Sequence, residues 1–103
     1  MTLQEFKSSL TQSKPPDNLS EPLRALWYDA YGDWDKAHKI AQEINDSNGS
    51  WIHAYLHRKE GDKSNAQYWY SHAGRKFSNL TLEEEWEEIS EELLKKTFSK
   101  KWN

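Results

Sequence analysis

Apolar residues recur every three or four positions along most of the chain, and this spacing predicts helices. The clearest case is the segment 82–93, where a capping box of Thr81 and Glu84 comes directly before an amphipathic pattern. The apolar positions of this segment share one helix face: they are Leu82, Trp86, Ile89 and Leu93. Its acidic residues precede its lysines, an order that the helix dipole favours. The pattern therefore predicts a helix over 81–98.

Glycines, prolines and capping residues divide the rest of the chain into further helical segments. The predicted helices cover residues 3–10, 21–31, 34–44, 51–60 and 63–73, and the predicted loops cover 45–49 and 75–80. Thr2 and Ser20 are suited to cap the first two helices. Pro22 lies in the first turn of the second helix, where a missing N–H costs nothing.

The residues predicted to face inward are mostly aromatic residues, leucines and alanines. They are Leu3, Phe6 and Leu10; Leu23, Leu26, Trp27, Ala30 and Tyr31; Trp34, Ala37, Ile40, Ala41 and Ile44; and Ala66, Trp69, Tyr70 and Ala73. The 103 residues include six Trp and five Tyr but no Val, so the β-branched residues that a sheet prefers are scarce. A chain of this length forms one small domain. Periodicity and composition together predict an all-α fold.

Charge and composition argue against several classes of protein. The formal net charge is −3 and no basic stripe is present, which argues against nucleic-acid binding. No apolar run approaches the roughly 20 residues that span a bilayer, so we expect a soluble, cytoplasmic protein without a membrane partner. The absence of cysteine excludes disulfides, thiolate metal ligands and cysteine nucleophiles.

Residues 25–44 and 54–73 form an internal repeat. Laid over one another, they match Ala25 with Ala54, Gly32 with Gly61, Asp33 with Asp62 and Ala37 with Ala66. Each match has a mechanical role, because glycine ends one helix, aspartate caps the next, and alanine lets two helices cross closely. The repeat therefore predicts two helical hairpins, over 20–45 and 50–74.

This pattern resembles the tetratricopeptide repeat. The resemblance is carried by Ala25, Tyr28, the GDWDKA turn and Ala41 in the first unit, and by Ala54, His57, GDKSNA, Tyr70 and Ala73 in the second. It implies one all-α domain over residues 1–103, built from two antiparallel hairpins, a leading helix and a C-terminal capping helix. The stretch 51–76 also resembles a group of small uncharacterised bacterial proteins, and that likeness implies no activity.

In the tetratricopeptide family, the first helix of each hairpin lines a ligand groove. The resemblance therefore implies an exposed surface that contains Leu26, Asp29, Trp51, Tyr55 and Arg58. Aromatic anchors beside an arginine and an aspartate suit a protein or peptide partner, so the first hypothesis is a non-catalytic binding module. The alternative is that Trp51 and Tyr55 are buried against the sixth helix. An aromatic patch left exposed after folding would favour a homodimer.

A cluster of histidine and glutamate gives the second hypothesis, a small metal- or ligand-binding protein. His53 and His57 are one helical turn apart and Glu60 follows on the same face, so the three could hold a divalent metal such as zinc. His72 on the neighbouring helix is the candidate fourth ligand. The competing interpretation is that these histidines only pack between helices, in which case the protein needs no cofactor.

No other motif predicts a catalytic site. Ser71 and His72 point apart on a helix, so they offer no paired nucleophile and base. The acidic run 83–92 is predicted to form a solvated face. No catalytic residue is therefore assigned, and whether the chain is an enzyme stays open.

Overall fold

The computed structural model describes the backbone of residues 1–102 and the side chains of residues 1–95. Every regular element in this part of the chain is helical, which confirms the predicted all-α class. The helices are α1 (Leu3–Ser8), α2 (Glu21–Tyr31), α3 (Trp34–Gln42), α4 (Ser47–Glu60), α5 (Lys63–Ala73) and α6 (Leu82–Trp102), with a short 3-10 helix, Ser9–Thr11, after α1. None of the helices described here combines the length and the apolarity that crossing a membrane requires.

Side-chain caps begin α1 and α6 at the predicted residues. Before α1, the Glu5 N–H donates to Thr2 Oγ1 at 3.1 Å and the Thr2 N–H donates to Glu5 Oε1 at 2.8 Å. Thr81 and Glu84 form the same reciprocal box before α6. Because each box pairs backbone donors that the helix itself leaves free, these local contacts determine where the helices begin.

Gly32 and Gly61 end α2 and α4 in the left-handed conformation, with φ angles of +105° and +93°. The residues that follow, Asp33 and Asp62, cap α3 and α5 through their side chains. Helix α2 packs on α3, and α4 packs on α5. The helix ends predicted at both Gly-Asp pairs are therefore confirmed.

The loop predicted over 45–49 is wrong in its second half. Asp46 accepts hydrogen bonds from the N–H groups of Asn48 and Gly49, so α4 begins within this segment. Gly49 packs so closely on the preceding chain that an added Cβ would lie 2.4 Å from the carbonyl oxygen of Ile44. This glycine permits a close approach inside a helix, where the sequence pattern indicated a break.

Helix α4 is the central helix of the fold. It contacts α2, α3, α5 and α6, and every residue from Trp51 to His57 is buried. Because no face of α4 is open to solvent over this stretch, its polar side chains lie inside the protein. The neighbouring helices contribute the rest of the core: Phe6, Leu23, Ala25, Leu26, Trp27, Ala37, Ala41, Ala66, Tyr70, Trp86, Ile89 and Leu93.

Two residues of α2 that were predicted to face inward are exposed. They are Ala30 and Tyr31, and the Tyr31 ring stacks on Trp27 with the centroids 4.7 Å apart. The buried face of α2 includes Asp29 instead, because Tyr55 of α4 donates a hydrogen bond to this carboxylate.

Helix α6 covers the core with its predicted apolar face. Ile89 and Leu93 are buried, and Trp86 stacks on Phe6 with the ring centroids 5.5 Å apart. The indole N–H of Trp86 donates to the carbonyl oxygen of Leu26 at 3.0 Å. The helix extends past its predicted end at residue 98. The predicted apolar face of α6 therefore packs on the core.

The acidic run of α6 is not wholly solvated, which corrects the prediction. Glu85 is fully buried. Its carboxylate accepts hydrogen bonds from the Tyr70 hydroxyl at 2.6 Å, the Arg58 guanidinium at 2.7 Å and the Trp51 indole N–H at 3.3 Å. Burial, together with the hydrogen bond to Glu85, raises the pKa of Tyr70, so the hydroxyl keeps its proton. Since the donors come from α4 and α5, this carboxylate ties α6 to both helices.

The substitution Glu85→Ala is expected to lower the free energy of unfolding by about 3 kcal/mol, because it leaves the Arg58 guanidinium without its carboxylate partner. Urea denaturation followed by circular dichroism measures this loss. Glu88→Ala removes an exposed glutamate from the same helix and is the matched control. It should change the free energy of unfolding by less than about 0.5 kcal/mol. Equal losses in the two variants would contradict the buried network.

Candidate metal centre

The predicted binding surface is buried rather than exposed. Leu26, Asp29, Trp51 and Tyr55 have exposed fractions of 0%, 3%, 2% and 2%, and the Arg58 side chain is 17% exposed. Both α2 and α6 pack on α4, and they close the face that was expected to line a groove. The prediction of an exposed aromatic surface is therefore wrong. The alternative, that Trp51 and Tyr55 are buried, is confirmed.

Asp29 and Tyr55 belong to a buried polar network between α2 and α4. The Asp29 carboxylate accepts hydrogen bonds from the Tyr55 hydroxyl at 3.0 Å and from Lys59 Nζ at 2.9 Å. Burial, followed by the neighbouring charge of Asp29, raises the pKa of Tyr55. These groups satisfy one another's hydrogen-bonding capacity, which explains why an aspartate and a tyrosine are stable when buried between α2 and α4.

Three imidazoles converge where α3 meets α4. His38 comes from α3, and His53 and His57 come from successive turns of α4; we call them the histidine cluster. Their ring centroids are 4.6, 4.8 and 5.1 Å apart. One ring nitrogen of each lies within 4.8 Å of a nitrogen in each of the others. His53 and His57 are buried and His38 is half-buried, so the cluster lies just below the surface.

Hydrogen bonds fix how the rings face one another. The Nε2 atoms of His38 and His53 are 2.9 Å apart and share a hydrogen bond. Such a bond needs one donor and one acceptor, so one ring carries a proton on Nε2 and the other does not. His57 Nδ1 lies 2.6 Å from Glu60 Oε2. Glu60 therefore orients the His57 ring and leaves its Nε2 atom for another contact.

Two tryptophans hold the histidine cluster in place. Trp34 stacks on His38 with the centroids 4.9 Å apart, and its indole N–H donates to the carbonyl oxygen of Leu56 at 3.0 Å. Trp69 stacks on His53 at 4.1 Å. These large rings restrict the imidazoles, so the arrangement is set before any ligand binds.

Most of the predicted ligand set lies together, and one member does not. His53 and His57 lie in one group, and Glu60 joins His57 through a hydrogen bond. His72 is exposed on α5 beside Trp69 and is not part of the histidine cluster. His38 is there instead. The sequence did not predict His38 as a member, because the spacing of residues within one helix says nothing about contacts between α3 and α4. The one signal for His38 is that it directly follows Ala37, a packing residue of the repeat.

Two rings of the histidine cluster, His38 and His53, are held in their uncharged form. Burial, followed by the neighbouring rings of His38 and His57, lowers the pKa of His53 to about 4. Burial and the nearby His57 also lower the pKa of His38, against the weaker opposing effects of Glu60 and Asp35. His38 and His53 are therefore neutral at pH 7, which is the form of imidazole that binds a metal ion.

The spacing of His38 and His53 is close to that of two ligands on a tetrahedral divalent ion, and a nitrogen of His57 lies within 4.8 Å of both. With Zn–N bonds of about 2.0–2.1 Å, two nitrogens on one ion lie about 3.3 Å apart. The nitrogens of His38 and His53 therefore need to separate by only a few tenths of an ångström. Glu60 behind His57 matches the carboxylate partner that metal-ligating histidines commonly have. A second group of His57, Glu60 and Asp62 also converges, but its two carboxylates are exposed.

Comparisons of this sequence with models of protein families, with curated proteins and with solved structures give no match. The resemblance to the tetratricopeptide repeat therefore stays a prediction. The functional assignment depends on the geometry of the histidine cluster.

The metal-free protein is expected to lose stability as the pH falls from about 6.5 to about 4. The unfolded chain takes up a proton at His53 near the ordinary histidine pKa of about 6.5, whereas the folded protein resists protonation until about pH 4. The contribution of neutral His53 to the free energy of unfolding is complete above pH 6.5 and is lost progressively as the pH falls from 6.5 to about 4. The stability difference between the wild type and His53→Asn should therefore shrink by about 3 kcal/mol over this range.

Urea denaturation at several pH values measures this difference. A difference that stays constant between pH 6.5 and pH 4 would contradict a buried, neutral His53.

Proposed function

We propose that this protein binds a divalent transition-metal ion, zinc above all, through His38, His53 and His57. The observation that carries the proposal is the convergence of three imidazoles, each with a ring nitrogen within 4.8 Å of the others. Histidine nitrogen is a preferred ligand of zinc. Magnesium and calcium are poorer candidates, because they select oxygen ligands and this set supplies nitrogen alone.

Packing alone explains the histidine cluster less well than metal binding does. The networks around Asp29 and Glu85 each match a carboxylate with a cation and a hydroxyl group. The histidine cluster instead gathers three bases of the same kind. Apolar side chains of similar size would fill this space without polar nitrogens that need partners. A bound metal ion would give all three imidazoles a common partner.

The ion would link two parts of the chain. One ligand, His38, belongs to α3, and the other two belong to α4. Because the three ligands come together only in the folded protein, the free energy of binding adds to the stability of the fold. Glu60 is then a positioning residue that acts through the His57 ring.

The two helix pairs, α2–α3 and α4–α5, are proposed to be antiparallel hairpins of the tetratricopeptide type. The left-handed glycines Gly32 and Gly61, each followed by a capping aspartate, support this arrangement. The packing of each pair supports it too. A protein or peptide partner, a homodimer and a cytoplasmic location stay predictions. Burial of the aromatic surface removes the structural support for the partner and the homodimer.

Zinc titrated into the metal-free protein is expected to bind at one ion per chain, as measured by isothermal titration calorimetry and by zinc content after dialysis. His38→Ala should weaken zinc binding by more than about 100-fold, because a lost ligand costs more than a lost outer partner. Glu60→Gln should weaken it by about tenfold, because the His57 ring is then less firmly held. His72→Ala is the matched control, since His72 is a histidine outside the cluster, and its affinity should equal that of the wild type.

The thermal midpoint of the wild type should also rise when zinc is added, and that of His38→Ala should rise much less. Equal zinc affinity of the wild type and His38→Ala would contradict the proposal, as would a failure of the wild type to bind zinc.

A further inference from the structure

A cleft of about 330 Å³ adjoins the histidine cluster. Its lining combines residues of the segment 44–50, where α4 begins, with Trp69 and His72 of α5. His53 also lines the cleft, so one ring of the cluster borders this space. The cleft therefore brings solvent-accessible space to the His53 ring of the cluster.

The number of ligands in the histidine cluster is typical of a catalytic metal site. Structural zinc sites are closed by four protein ligands, whereas catalytic sites have three and keep one position for water or substrate. Among the side chains that the structure describes, the group contains three histidines: His38, His53 and His57. A tetrahedral ion held by these three would keep its fourth position for a water molecule.

We propose that this metal centre hydrolyses small uncharged carboxylic esters, with a metal-bound water as the nucleophile and His72 as its general base. This inference rests on the proposed metal-binding function. His72 lines the same cleft as His53, and imidazole is the commonest general base in enzymes. The side chain of His72 is exposed, so a proton that it accepts can exchange with solvent.

The cleft lining restricts the class of substrate. The described residues that line it include no lysine or arginine, and Asp46 adds a negative charge. A phosphate ester or a free carboxylate would therefore find no cationic side chain there and would be repelled. Trp69 supplies an apolar wall for an acyl or aryl group. A volume of about 330 Å³ is at the small end of the range for ligand sites, so a small neutral ester fits best.

The hydrolytic step needs only water as co-reactant. The water gives a proton to the His72 imidazole while its oxygen forms a bond to the acyl carbon, and the negative charge moves to the carbonyl oxygen. The bond between the acyl carbon and the leaving oxygen then breaks as the carbonyl reforms, and His72 returns the proton to the leaving oxygen. One ester and one water give one carboxylic acid and one alcohol, with no change in oxidation state.

The experiment measures hydrolysis of 4-nitrophenyl acetate by the zinc-loaded protein, the metal-free protein and free zinc at the same concentration. The zinc-loaded wild type should be at least about tenfold faster than either reference. His72→Gln keeps a polar side chain of similar size but removes the base, so kcat should fall by about tenfold or more while zinc affinity stays unchanged. Added imidazole should restore part of the lost rate. Ser71→Ala alters an exposed neighbour that does not line the cleft, and it should keep the wild-type rate.

The two proposals can fail separately in this experiment. If one zinc ion binds per chain but gives no rate above that of the metal-free protein, the hydrolytic inference is overturned and metal binding stands. If zinc does not bind, both are overturned. A zinc-dependent rate that His72→Gln leaves unchanged overturns the role of His72 as the base.

Discussion

Helix α4 is enclosed by its neighbours, and most features of this protein follow from that enclosure. Every residue from Trp51 to His57 is buried, although several of them are polar. A buried polar group must find a partner inside the protein, because it has lost its contacts with water. The polar residues of α4 therefore form three networks: Tyr55 and Lys59 with Asp29, Trp51 and Arg58 with Glu85, and His53 and His57 with His38.

The three networks differ in what they can do. Asp29 and Glu85 are each surrounded by donors that include a cation, so these networks are complete and hold α2 and α6 against α4. The histidine cluster instead brings a ring nitrogen of each of its three imidazoles within 4.8 Å of the others, and such a set would gain a common partner if a cation bound. Stability and candidate function thus arise from the same buried helix through different chemistry.

Sequence predicted several helix ends correctly, because caps and turns depend on residues a few positions apart. Thr2, Thr81 and the two Gly-Asp pairs are of this kind. The enclosure of α4 was not predictable in the same way, since periodicity identifies a helix face only when another face is polar and solvated. Glu85 likewise resembled its exposed neighbours in an acidic run, although its donors come from α4 and α5.

The candidate site was predictable only in part, for a similar reason. His53, His57 and Glu60 lie on one helix, where spacing alone places them together. His38 reaches them through the packing of α3 on α4, and no pattern within a single helix contains that information. The exposed position of His72, which removed it from the ligand set, likewise depends on how α5 is placed.

Nitrogen-15 NMR of the histidine side chains can decide whether the three imidazoles act as one metal-binding unit. At pH 7 we expect neutral rings for His38 and His53. One equivalent of zinc should then shift a ring nitrogen of His38, His53 and His57 together, while the signals of His72 stay in place. Charged rings at His38 and His53, or zinc shifts that are confined to His72 or absent, would contradict this arrangement.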